Sequence, residues 1–201
     1  MKNSEITSQS LELFTDIAEV VMDSLIENGL LKDIPFVSLA VKVANIGKTV
    51  TDRIFLTKIK KFLLYLDKVT PTEKQNFIKS LDDEPEKKSK LGECLVLIID
   101  RIDDLGKTQI LAELFLNLIK EKINLETFRR LASAVNSAFV EDLKKLINNT
   151  NNNDYLGNLI GSGLTEVSST GIPIGGYDVV HINVRISALG KLFVRLMNDK
   201  N

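Results

Sequence analysis

A chain of 201 residues, 44% hydrophobic and 26% charged, can bury a core of its own; it fits one domain, or one domain with a small appendage, and is not disordered. Its 26 basic and 27 acidic residues leave a net charge of −1, which argues against extensive phosphate neutralisation while leaving room for a local basic patch. A single cysteine, Cys94, excludes an internal disulfide and a cysteine-based zinc site.

Met1 to Ser10 is polar, and no apolar stretch follows a basic start, so a reducing cytoplasm is the expected compartment. The first helix is predicted over Ser8–Glu27, with Leu11, Phe14, Ile17, Ala18, Val21 and Leu25 on one face. Glu12, Asp16, Glu19, Asp23 and Glu27 make an acidic stripe along it, and Gly29 stands where a C-terminal cap belongs. Ile34–Ile46 is the most membrane-like stretch. Its 13 residues contain Lys42 and as a helix would reach roughly 20 Å, short of a ~30 Å hydrocarbon core, so a buried helix is the better reading.

The next helical region spans about Pro35–Val69, with a break near Gly47, and carries Phe55, Ile59, Phe62, Leu63 and Leu66 on one face. From Lys42 to Lys61 it holds six basic residues and one acid. The simpler explanation is packing against the acidic helix. The sharper one is an anionic partner or membrane surface, for which Lys58, Lys60 and Lys61 are the candidate patch.

Thr70-Pro71-Thr72-Glu73 is a helix start with the elements of a capping box, and that helix ends near Leu81. Asp82–Lys90 has charge, a proline and no apolar residue, and is expected to be an exposed loop. Leu91–Ile102 is the most hydrophobic segment and should lie centrally, which makes Cys94 a small core residue rather than a reactive thiol. Asp103 or Asp104 caps a helix running to about Lys122, with Ile110, Leu111, Leu114, Phe115 and Leu118 inward. Asn124 caps the next, whose stripe of Leu125, Phe128, Leu131, Ala132, Val135, Phe139, Leu143 and Leu146 continues to about Ile147. The asparagine-rich tract Asn148–Asn153 forms a turn, and its composition, with abundant lysine, suggests an AT-rich bacterial or mobile-element genome.

Several motifs fail on their physics. Gly47-Lys48-Thr49 and Gly106-Lys107-Thr108 each lack the earlier glycine of a phosphate-binding loop, whose place is held by Lys42 and Arg101, and neither follows a strand. Asp100–Gly106 looks acidic enough for calcium, but an EF-hand register would begin at Arg101. His181, the sole histidine, falls on the more polar side of a predicted strand, with no nucleophile or orienting group in the sequence to make it a base. No catalytic set, cofactor or metal site is expected.

Seven of the eleven glycines lie between Gly157 and Gly190. A short helix carries Leu156, Leu159 and Ile160 and ends in Gly161-Ser162-Gly163-Leu164. Strand one follows over Leu164–Ser168, a loop over Ser169–Gly176, strand two over Tyr177–Ile186, and a final helix capped by Ser187 over Ala188–Met197. With Ile186-Ser187-Ala188-Leu189-Gly190 opening the last helix, this stretch resembles the second half of a bacterial winged-helix domain. Upstream, Ile34-Pro35-Phe36, Asp52-Arg53-Ile54-Phe55 and Lys58-Ile59-Lys60-Lys61-Phe62-Leu63 resemble small helical proteins of bacterial mobile and defence islands, which implies a context and no chemistry.

The winged-helix resemblance implies DNA or protein binding. Against DNA, the helix in the recognition position, Asp154–Ser162, has no Lys or Arg and offers only Asn158. Phe139–Asn201 balances six basic residues with six acidic ones. The expectation is a mainly α protein: a multi-helix domain over 1–148, and a winged-helix-like hairpin and closing helix over 149–201. It is read as a non-enzymatic, cytoplasmic protein acting through contacts with a protein partner. The alternatives are a DNA-binding regulator contacting DNA through Arg185, Lys191 and Arg195, and a membrane-acting effector using Ile34–Leu66.

Overall fold

The computed structural model describes residues 50–66, 68–82, 84–149, 153–174 and 177–199. The Ser8–Glu27 helix, Ile34–Ile46, Lys42, Gly47-Lys48-Thr49, residues 150–152 and the side chain of His181 lie outside the described residues. The order is α1 (Val50–Leu66), α2 (Pro71–Asp82), α3 (Pro85–Asp100), α4 (Leu105–Ile119), α5 (Leu125–Ser137) and α6 (Val140–Ile147). A 3-10 helix (Leu156–Ser162), β1 (Thr165–Ile174), β2 (Tyr177–Ile186) and α7 (Ala188–Asn198) follow. The class is mainly α with a C-terminal antiparallel hairpin and a closing helix.

The chain divides into two compact units, Met1–Leu125 and Glu126–Asn201. The boundary read at 148/149 therefore falls inside the second unit, and α6 and nearly all of α5 belong with the hairpin.

In the first unit α4 is apolar nearly all round and lies at the centre, with Ile110, Leu111, Leu114, Phe115 and Leu118 buried. It packs along α1, which buries Phe55, Leu56, Ile59, Phe62, Leu63 and Leu66. The Phe115 ring sits 5.6 Å from Phe62 and meets Phe77 edge-on at 6.0 Å. The start of α2 is a reciprocal capping box: Glu73 N donates to Thr70 Oγ1 at 3.3 Å, and Thr70 N donates to Glu73 Oε2 at 2.9 Å.

Two expectations in this unit need correction. Asp82–Lys90 is not a loop, because α3 already begins at Pro85. Proline suits a first helical turn, and Lys90 pairs with Glu86 one turn away at 3.4 Å. From Pro85 the segment is helical, and Pro85, Glu86, Ser89 and Lys90 are exposed, since this end of α3 precedes Leu91, where burial begins. Cys94 is half-buried rather than a core residue. The core face of α3 is Leu91, Leu95 and Ile99, continued by Ile102, while Leu97 is exposed.

In the second unit the predicted single helix over 125–147 is broken. Ser137 Oγ donates back to the carbonyls of Ser133 and Ala134, both at 3.1 Å, which competes with continued helix. Phe139 then takes an extended conformation (φ −74, ψ 134) and α6 restarts at Val140. The break carries Phe139 out of the apolar stripe and leaves it exposed. Phe128, Leu131, Ala132, Val135, Leu143 and Leu146 keep their inward places, joined by Leu156, Leu159, Leu164, Phe193 and Leu196.

Strand one runs further than predicted, from Thr165 to Ile174 rather than to Ser168, through Gly171 and Pro173. It pairs with β2 over ten residue pairs, from Thr165↔Ile186 to Ile174↔Tyr177, so only Gly175 and Gly176 separate the strands.

Candidate interaction surface

The ribbon springs from a tightly bonded base. Gly163 ends the 3-10 helix with φ +77, in the left-handed region where glycine is strongly favoured. Ser187 then joins three elements. Its hydroxyl donates to Gly163 O at 2.6 Å and accepts from Gly190 N at 3.0 Å, as the N-cap of α7. Its backbone N donates to Leu164 O at 3.0 Å. Gly190 permits this closeness, because a Cβ there would overlap Leu164 O and lie 2.8 Å from Ile186 Cγ2. Thr165, also buried, donates its hydroxyl to Leu156 O at 2.7 Å.

Beyond that base the ribbon shows two different faces. Directly paired residues share a face, so Val167 and Val184 stand together with Ser169 and Ile182 beside them. Val167 is 54% exposed and Ile182 71% exposed. On the other face Arg185 Nε donates to Glu166 Oε1 at 2.8 Å. A β-branched strip thus lies uncovered on one side of a firmly rooted ribbon, and an ion pair occupies the other.

The residues proposed for DNA contact are all exposed. Arg185 is engaged with Glu166, and Lys191 and Arg195 lie one turn apart on α7. Asn158 does not project freely: its Nδ2 donates at 3.1 Å to Oδ2 of the buried Asp142. The element in the recognition position is a 3-10 helix of seven residues, in which Leu156 and Leu159 are buried.

The candidate anionic-partner patch does not assemble. Lys58 is only 8% exposed, and its Nζ donates at 2.8 Å to the carbonyl of Asp100 at the end of α3. It is a helix-end cap, not a surface cation. Lys60 and Lys61 are half-buried on α1.

Gly106-Lys107-Thr108 also has a structural role. It forms the first turns of α4, with Lys107 and Thr108 buried and Asp104 accepting from Gly106 N at 2.6 Å. Lys107 Nζ meets Asp103 Oδ1 at 2.6 Å, and this hydrogen bond holds the Asp103 carboxyl below its usual range.

Sequence reasoning missed the Asp142–Asn158 bond, the buried Lys58 cap and the second bond of Ser187. Partners 16, 42 and 24 residues apart leave no periodic signal to find them. Among the described residues no group of three or more His, Cys, Asp and Glu side chains could hold a metal ion. No family model, no curated protein and no solved structure matches the chain, so any functional reading rests on its own residues.

Proposed function

We propose that this protein acts through contact with another polypeptide, as a winged-helix-like module whose ribbon is the docking element, and that it is not an enzyme. The supporting observation is the strip of Val167, Val184 and Ile182, rooted through Ser187 and Thr165, in which Val184 is half-buried and Val167 and Ile182 are left open to solvent. Uncovered apolar side chains on a well-ordered base favour a partner that desolvates them. The resemblance to small helical proteins of bacterial mobile and defence islands supplies the setting. Affinity capture from native cells with mass spectrometry tests the reading, run on the natural chain and on Ile182→Lys. A partner lost in the variant supports it. Recovery of the same proteins with both, or turnover of a substrate by the purified chain, refutes it.

A second reading, a DNA-binding regulator, is favoured by Lys191 and Arg195, exposed one turn apart on α7, and by the exposed Arg185 on β2. It requires binding that weakens steeply with salt and disappears when all three are changed to Gln. Absence of a mobility shift on genomic fragments at low salt removes it. The membrane-acting alternative has no support: among the described residues no helix is long and apolar enough to cross a membrane, and Phe55, Leu56, Ile59, Phe62, Leu63 and Leu66 of α1 are buried in the core of its unit.

A further inference from the structure

The ribbon's two outer edges are unequal, and the inequality identifies a partner. A two-residue connection makes Ile174↔Tyr177 a hydrogen-bonded pair. Alternation then makes Pro173↔Asp178 a non-hydrogen-bonded pair, in which the backbone groups point away from the facing strand. Pro173 has no N–H to offer, so the outer edge of β1 is missing a donor beside Gly171, and proline on an edge is a known barrier to further pairing. On β2 the outward backbone groups belong to Asp178, Val180, Ile182, Val184 and Ile186, with no proline or glycine among them. Among the described residues no third strand pairs with either edge.

From this geometry we infer that β2 pairs antiparallel with β2 of a second copy of this chain, forming a four-stranded sheet across a two-fold axis. The inference rests on the reading of the ribbon as a protein-contact element and names its partner. Two features select a second copy. The outward positions Val180, Ile182 and Val184 read the same in both directions as a β-branched run, so a two-fold axis at Ile182 places Ile182 opposite its counterpart and Val180 opposite Val184 of the second copy. Parity is preserved, so the exposed Ile182 and the half-buried Val184 stay on one face across the join instead of meeting the polar face. A bare two-stranded ribbon is marginal in water, and a third and fourth strand relieve that.

The test is the mass of the purified full chain by sedimentation equilibrium over a hundredfold concentration range. The natural chain is expected to move from 22.4 kDa toward about twice that mass as concentration rises. Ile182→Lys, at an exposed position, should stay monomeric with unchanged circular dichroism. Leu97→Lys, at another exposed apolar site, on α3, should dimerise like the natural chain. A natural chain that is monomeric throughout, or a dimer indifferent to Ile182→Lys, overturns the inference. A strictly monomeric chain that still captures another protein in an Ile182-dependent way sinks the second copy and leaves the protein-contact reading intact. A monomer without such capture sinks both.

Discussion

Replacing Gly190 by alanine tests the base of the ribbon directly. The new methyl would overlap Leu164 O and sit 2.8 Å from Ile186 Cγ2. Ordinary carbon contacts begin near 3.5 Å, so either the start of α7 or the backbone at Leu164 must shift by about 1 Å or more. Overpacking of this kind costs about 1–3 kcal/mol. The shift also stretches the bond from Ser187 N to Leu164 O, a loss of about 1 kcal/mol. Against these, alanine is better than glycine in a helix by about 1 kcal/mol. The net is a destabilisation of about 1–3 kcal/mol, toward the upper end because the obstruction is backbone and has no rotamer to yield. Gly157 and Gly161 are the controls, since nothing lies within 4 Å of a Cβ at either. Their alanine variants should be neutral, or stabilised by up to about 1 kcal/mol. Gly163→Ala should lose about 1–2 kcal/mol from its positive φ alone, with no clash. Urea midpoints followed by circular dichroism rank the four. Gly190→Ala as stable as Gly157→Ala would refute the close approach of α7 to Leu164.

Other outcomes follow from single contacts. Asn158→Ala removes a bond to the buried Asp142 and should cost about 1–3 kcal/mol, read by urea denaturation; an unchanged midpoint would show that Asp142 does not need it. Lys58→Ala leaves Asp100 O without its buried donor and should cost a similar ~1–3 kcal/mol, whereas Lys60→Ala on the half-buried side should stay within about 0.5 kcal/mol. Acid should weaken the first unit. The backbone and then the hydroxyl of Thr70 hold Glu73 below its usual range, and the Lys107 hydrogen bond does the same for Asp103. A lowered folded value stabilises above the unfolded value of roughly 4, and that stabilisation is lost as pH falls through the folded one. Thermal melts from pH 6 down to 2 should therefore decline, and Glu73→Gln with Asp103→Asn should flatten the decline; an unaltered slope would count against both contacts.

What could be read from the sequence was whatever repeats or punctuates. Thr70-Pro71-Thr72-Glu73 and Ser187 announce helix starts because their chemistry is local, and the inward residues of α4 follow from period alone. The errors share a cause, which is that exposure and tertiary contact carry no period. The charged turns from Pro85 to Lys90 look like a loop only because nothing covers them. The stripe over 125–147 continues through Ala138 and Phe139 with no glycine or proline, yet Ser137 turns its hydroxyl on the preceding turn and the helix stops. Lys58 reads as a surface cation until the end of α3 arrives beside it. At the ribbon, Gly171 and Pro173 suggested a loop, although an edge strand tolerates both when the proline nitrogen faces outward.

The Ser187 hydroxyl has a kinetic consequence. Because one side chain ties the end of the 3-10 helix to the first turn of α7, and the same residue's amide holds Leu164, none of these segments can open alone without breaking bonds of the other two. They form one cooperative opening unit, so the amides of Gly163, Ser187 and Gly190 should exchange with solvent at a common rate set by that shared event, while in the dilute, monomeric chain the outward amides of β2 exchange ahead of it.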